Sequence, residues 1–142
     1  MFLGQFHHTL DYKGRLSIPK KFRDEIKAGV LTRGLDNCLF LYSKEEWEAL
    51  SNRIRQLPLT ASSARSFSRY LFSGAIDSAF DKLGRITLPD YLKEHAQIDK
   101  NVVIIGVLNR VEIWAEKNWE EFNQKARDES SAIAEKLSES GI

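Results

Sequence analysis

Phe6, His8 and Leu10 alternate with more polar neighbours, and Arg15 to Ile18 repeat the alternation, so two short strands are expected there. Asp11 and Gly14 between them suit a four-residue turn that opens on Asp and carries glycine near its end, giving a hairpin. Pro19 fits the first position of a short helix, where its missing N–H costs nothing, and that helix runs to about Ile26. Val30 to Arg33 and Leu39 to Tyr42 read as two further strands, separated by Gly34 and Asn37. Ser43 with Glu46 three residues on is a capping box, opening a helix that contains Trp47, Leu50 and Ile54.

The same plan then recurs. Asp11 to Ile26 lies over Asp81 to Ala96 at an offset of 70, with identities at Asp11/Asp81, Gly14/Gly84, Arg15/Arg85 and Pro19/Pro89. Further on the offset becomes 72, aligning Gly34/Gly106, Asn37/Asn109, Tyr42/Trp114 and Trp47/Trp119, with two extra residues around Gln97 to Asn101. Strands are expected near 75–80, 85–88, 102–107 and 111–114, with a short helix from Pro89. The organisation is thus a first repeat over 5–47, linker helices over 48–75, a second repeat over 76–119 and a C-terminal helix over 120–142. Units this small rarely bury enough surface alone, so the copies are expected to share one β core in an α+β fold.

In the linker, Ala64, Phe67 and Leu71 fall at helical spacing between Thr60 and Ser73, with Gly74 placed to end the helix and Arg65 and Arg69 on its surface. At the C-terminus Trp119, Phe122, Ala126, Ile133 and Leu137 form one stripe at 100° per residue. It packs on its own domain or serves oligomerisation; the sequence leaves both open.

Composition narrows the function classes. With 42% hydrophobic and 29% charged residues the chain reads as one soluble globular protein of 142 residues. Its longest apolar stretch, Val102 to Leu108, falls far short of the roughly 20 residues of a membrane helix, and no secretory signal is legible. A cytoplasmic protein without membrane contact is expected. The lone Cys38 reads as a small core residue in an apolar strand rather than a nucleophile. Adjacent His7 and His8 point to opposite faces of a strand, and His95 is expected to be exposed; no metal or cofactor is expected. No catalytic constellation appears, so the chain is read as not an enzyme.

The net charge of +1 hides a segmental split. Residues 1–27 carry six basic against three acidic side chains, 51–70 carry four arginines and no acid, and 111–142 carry eight acidic against four basic. Lys13, Arg15, Lys20, Lys21 and Arg23 crowd one turn and one helix, and such a basic segment suits a polyanion. In the repeated Asp-x-x-Gly-Arg turn, glycine brings the backbone close to what lies beyond it and arginine supplies a planar fork of donors, which suits phosphate oxygens or guanine edges. Equally, Asp11 and Arg15 can pair across the turn and fix its shape, as Asp81 and Arg85 would; the two roles are compatible. RNA is disfavoured, because Phe6, Tyr42 and Trp47 read as core and no exposed stacking platform is legible.

The two Asp-x-x-Gly-Arg-…-Pro motifs, the trailing tryptophans and the length resemble the MraZ family of bacterial transcriptional regulators, whose repeats are similar to the AbrB-type DNA-binding domain. The likeness runs from Met1 to about Lys125. It implies two tandem AbrB-like repeats, swapped-hairpin and double-psi-like β-barrel halves, fused in one chain that assembles into a homo-oligomeric ring of eight or more subunits. It implies binding to double-stranded DNA, at short direct repeats in the promoter of the chain's own operon in the division and cell-wall cluster, with the protein cytoplasmic and nucleoid-associated. Lys13, Arg15, Lys20, Lys21, Lys82 and Arg85 are then the expected DNA-binding residues, and Asp11, Gly14, Asp81 and Gly84 shape the turns. Copy two departs at Leu83 and Asp90, where copy one has Lys13 and Lys20, so its loop should bind DNA less well or face a neighbouring subunit. The alternative is a protein-interaction module, using the acidic C-terminal helix, in which DNA binding is secondary.

Overall fold

Each half of the chain completes its sheet with a strand from the other half. The computed structural model describes all 142 residues. The first repeat supplies β1 (Phe2–Thr9), β2 (Arg15–Ser17), helix α1 (Lys20–Ile26), β3 (Ala28–Arg33), β4 (Leu39–Ser43) and helix α2 (Lys44–Arg55). Helix α3 (Ser62–Ser73) links it to β5 (Ile76–Ala79), β6 (Arg85–Thr87), helix α4 (Asp90–His95), β7 (Asn101–Leu108), β8 (Val111–Ala115) and helix α5 (Glu116–Lys136), with a last 3-10 turn over Ser138–Ser140.

The strands form one antiparallel sheet in the order β1-β7-β8-β4-β3-β5 and a ribbon of β2 and β6. Exchanging the repeats leaves that order unchanged, so the chain has an internal pseudo-twofold axis. The axis passes between Leu16 and Ile86, paired in the ribbon, and between Phe40 and Glu112, paired in the sheet; each pair is also equivalent by repeat. The turn after β1 has hairpin geometry, with Asp11 N–H donating to the Arg15 carbonyl at 3.0 Å. Yet β1 runs on to pair with β7, and β2 with β6. The expected return strand therefore pairs with its counterpart in the other repeat.

Alternation along the strands sorts side chains onto two faces. Leu31, Leu39, Leu41, Ile104, Val111 and Ile113 face the ribbon and the short helices, where Leu16, Phe22, Ile86 and Leu92 close the main core. Leu16 and Ile86 are almost entirely buried, each worth about 1.5–3 kcal/mol of apolar burial. On the opposite face Phe40, Tyr42, Val103, Ile105 and Trp114 meet Trp47 of α2 and Trp119 of α5.

The structure revises the repeat alignment. Leu31 pairs with Leu41, but Ile104 pairs with Ile113, so β3 and β7 are offset by 73 while β4 and β8 are offset by 72. Gly34 and Gly106 are consequently not equivalent. The second repeat has three extra residues before β7 and one fewer in its hairpin loop. Gly34 lies against the Phe40 ring, whereas Gly106 lies where β1 crosses, so that a Cβ would stand 2.3 Å from Leu3 N.

Ser43 caps α2 as expected, accepting from Glu46 N–H at 3.2 Å. Gly74 ends α3 with φ −86, without a left-handed cap. His95 is half-buried rather than exposed: its Nε2 lies 3.3 Å from the Tyr70 hydroxyl, which also donates to the Gly34 carbonyl. Cys38 is buried in the loop just before β4, and its thiol donates to the Leu35 carbonyl. Of the C-terminal stripe, Trp119 and Phe122 pack on Trp114 of their own domain, at 5.5 and 5.1 Å between ring centroids, and Ala126 is half-buried; Ile133 and Leu137 are exposed, as is every residue from Arg127 onward.

Candidate nucleic-acid interface

The ribbon turns Leu16 and Ile86 inward, which leaves Arg15, Ser17, Arg85 and Thr87 on its outer face, related by the pseudo-twofold axis. Each arginine comes from an Asp-x-x-Gly-Arg turn of one design. Asp11 Oδ1 accepts from the N–H groups of Lys13 and Arg15, both at 2.9 Å, while its Oδ2 accepts from Arg15 Nε at 2.6 Å. Asp81 does the same with Leu83 and Arg85, its Oδ2 lying 2.8 Å from Arg85 Nε. A fourth contact joins the turns, with Arg85 Nη1 3.6 Å from Asp11 Oδ2.

These contacts shift both carboxyls. Partial desolvation draws the Asp11 pKa upward, but the Arg15 and Lys13 N–H groups and the Arg15 guanidinium outweigh it and hold it below the ordinary value. At Asp81 the Arg85 N–H is the largest influence; against opposing desolvation, it and the Arg85 side chain hold the pKa down. Asp and Arg therefore do pair across each turn. Each arginine uses Nε for the pair and stays about a quarter exposed, so its outward fork can serve a ligand.

Glycine is needed in both turns, at φ +72 in Gly14 and φ +75 in Gly84. Their carbonyls lock the repeats together: Gly14 accepts from Leu88 N–H at 2.9 Å and Gly84 from Ile18 N–H at 3.1 Å. Arg23 lies over Gly84 and Lys93 over Gly14, each from the short helix of the other repeat. Arg23 is held there by donating from Nε to the Ile18 carbonyl at 2.9 Å.

The remaining expected cations differ in freedom. Lys13 and Lys82 are exposed at the turns, Lys13 with its ammonium 5.6 Å from the Tyr12 ring centroid. Lys20 makes an exposed ion pair with Asp24, and Lys21 lies over the rings of Phe6 and Phe22, at 4.9 and 5.4 Å. Opposite Lys13 in the second turn, Leu83 is exposed. Tyr12, outside the expected site residues, is 89% exposed beside Lys13 and supplies an aromatic face that the sequence did not announce. Its place in a polar turn was the available signal.

What this face offers is a set of donors and cations spaced about a twofold axis. No cluster of three or more His, Cys, Asp or Glu side chains able to hold a metal is present, and no helix is long and apolar enough to cross a membrane.

Known proteins give the arrangement its context. The family described as "MraZ protein, putative antitoxin-like" matches twice, over residues 1–70 and 71–139, one match for each half of the pseudo-symmetric fold. The chain is 51% identical to the transcriptional regulator MraZ of Natranaerobius thermophilus, across 96% of both chains. It is 49% identical to the transcriptional regulator MraZ of Alkaliphilus oremlandii over the whole of both, and 51% identical to that of Lactobacillus gasseri across 96% of both. With both halves matched and the likeness running nearly end to end, the chain belongs to the MraZ family.

Proposed function

We propose that the chain is a DNA-binding transcriptional regulator that presents the outer face of the β2–β6 ribbon and the adjoining α1 surface to double-stranded DNA. The observation that carries this is the meeting of two Asp-x-x-Gly-Arg turns on one outward face, flanked by Lys13 and Lys82. Lys13, Arg15, Lys20 and Lys21 make the stronger contacts, and Lys82 and Arg85 the weaker, because Leu83 and Asp90 replace cations in the second repeat. The targets are short direct repeats in the promoter of the chain's own operon, in the division and cell-wall cluster. Binding is by avidity in a homo-oligomeric ring of eight or more subunits, since one turn offers too few charges to hold DNA firmly. The protein acts in the cytoplasm at the nucleoid and needs no cofactor or catalytic step.

The test is fluorescence anisotropy with the duplex upstream of the gene and a scrambled duplex, at several salt concentrations. Wild-type affinity for the cognate duplex falls with salt, and Lys13→Ala makes the logarithmic slope shallower by about 0.9, one phosphate contact. Arg15→Ala loses specific binding, and because it also strips Asp11 of its partner, its thermal unfolding is followed in parallel. Equal, weak binding of both duplexes by the wild type would overturn the proposal.

A further inference from the structure

Helices α2 and α5 occupy equivalent places in the two repeats, with Trp47 and Leu50 matching Trp119 and Phe122 at an offset of 72. Only α2 is covered. Beyond it the chain returns as α3, which sets the Phe72 ring 5.3 Å from that of Trp47. Helix α5 packs on β7 and β8, with the Phe122 ring 5.1 Å from that of Trp114, and then leaves the body, with Ile133 40% and Leu137 45% exposed.

The cover that α3 gives α2 has left a cleft. A cavity of about 660 Å³ opens between these helices, with Ile54, Leu57 and Ala64 among its apolar walls and Arg55, Arg65 and Arg69 as its charges. The stretch that builds it, 51–70, holds four arginines and no acid, whereas the exposed half of α5 and the tail beyond it, 127–142, hold four acids against two bases. An apolar, basic cleft and an unpartnered apolar helix in an acidic segment thus stand on one molecule.

We propose that the free half of α5, with Ile133 and the Leu137 that ends the helix, docks in the α2–α3 cleft of a second copy of this chain. Within one chain α5 is a continuous helix of 21 residues whose outer half stays exposed, so its own cleft remains open to the neighbour. The two surfaces differ, so the contact is head to tail and continues from subunit to subunit until it closes into a ring. The inference rests on the self-association in the proposed function and is independent of its DNA contacts.

Disulfide trapping tests it. Ser68 lines the cleft, and at 100° per residue Ser130 falls beside Ile133 and Leu137 on α5. Chains carrying both Ser68→Cys and Ser130→Cys, mildly oxidised, should give a ladder of dimers, trimers and larger species on a non-reducing gel. A mixture of the two single variants should stop at dimers, with the buried Cys38 taking no part. Ile133→Asp with Leu137→Asp should reduce the light-scattering mass to one chain of 16.3 kDa while the far-ultraviolet circular dichroism keeps its native form. If the wild type is an oligomer but no ladder forms and the Asp pair keeps the oligomer mass, the α5–cleft contact is wrong and self-association stands on another surface. A wild type of 16.3 kDa would overturn both the contact and the ring, whatever the anisotropy shows for DNA.

Discussion

Gly14 and Gly84 are equivalent in sequence, share a left-handed backbone, and should nevertheless differ when replaced by alanine. At Gly14 a new Cβ would lie 3.3 Å from the Lys93 ammonium and 3.5 Å from the Leu88 carbonyl, so little has to move. Gly14→Ala then costs the conformational penalty of a left-handed residue, about 1–2 kcal/mol. At Gly84 the Cβ would stand 2.4 Å from Arg23 Cζ and 2.6 Å from its Nε. The guanidinium must swing away and surrender its 2.9 Å hydrogen bond to the Ile18 carbonyl, a charged bond worth about 1.5–3 kcal/mol. Arg23 is half-exposed and water recovers part of that loss, so the lower end applies: Gly84→Ala should exceed Gly14→Ala by about 1–1.5 kcal/mol in urea unfolding. Arg23→Ala supplies the control, because in that background the alanine at position 84 meets no guanidinium and the two glycine substitutions should cost the same. Equal costs in the wild-type background, or a difference that survives Arg23→Ala, would refute the interlock of each turn with the short helix of the other repeat.

Acid should weaken the fold through the same turns. Asp11 and Asp81 have folded pKa values below the ordinary 3.8, so the stability they lend is complete above that value and is lost as pH falls through the folded values. Urea midpoints should therefore drop from about pH 4 downward, and Asp11→Asn with Asp81→Asn should flatten that drop; an unchanged slope would remove the turns from the account. Burial pushes the Cys38 thiol pKa far above its ordinary value, with the Glu112 charge adding to the shift, and its hydrogen bond to Leu35 occupies the proton. Native protein should thus react with a thiol reagent no faster than it unfolds, and labelling within seconds at neutral pH would show an open path to the sulfur.

Local chemistry made much of this fold legible in the sequence, and long-range pairing supplied the rest. Asp11, Gly14 and Pro19 announce a turn and a helix start because the forces that set them act within a few residues. The partners of β1 and β5 were not legible from alternation, since Phe6 and Ile76 bury the same side whether they pair within a repeat or across. The Gly34/Gly106 alignment failed for a related reason: each residue must be small, one beside the Phe40 ring and one beneath the β1 backbone, so their identity reflects no shared position. His95 became half-buried through Tyr70 of α3, a helix absent from the repeat pattern.

The segmental charges gain their meaning from the sheet that separates them. Lys13, Arg15, Lys20, Lys21 and Arg23 lie on the turn, ribbon and short helix that close the main core over one face. The arginine-rich 51–70 stretch and the acidic α5 belong to helices anchored on the other. A net charge of +1 therefore averages two unlike surfaces: one with an excess of cations over acids, suited to a polyanion, and one carrying both signs on different helices, suited to a copy of itself. Because the packed six-stranded sheet lies between them, a charge changed on the ribbon face acts on the helical face only through a screened, long-range field. Substitutions in the turns should consequently alter DNA affinity at constant oligomer mass, and those on α5 should alter oligomer mass first and DNA affinity only through the lost avidity.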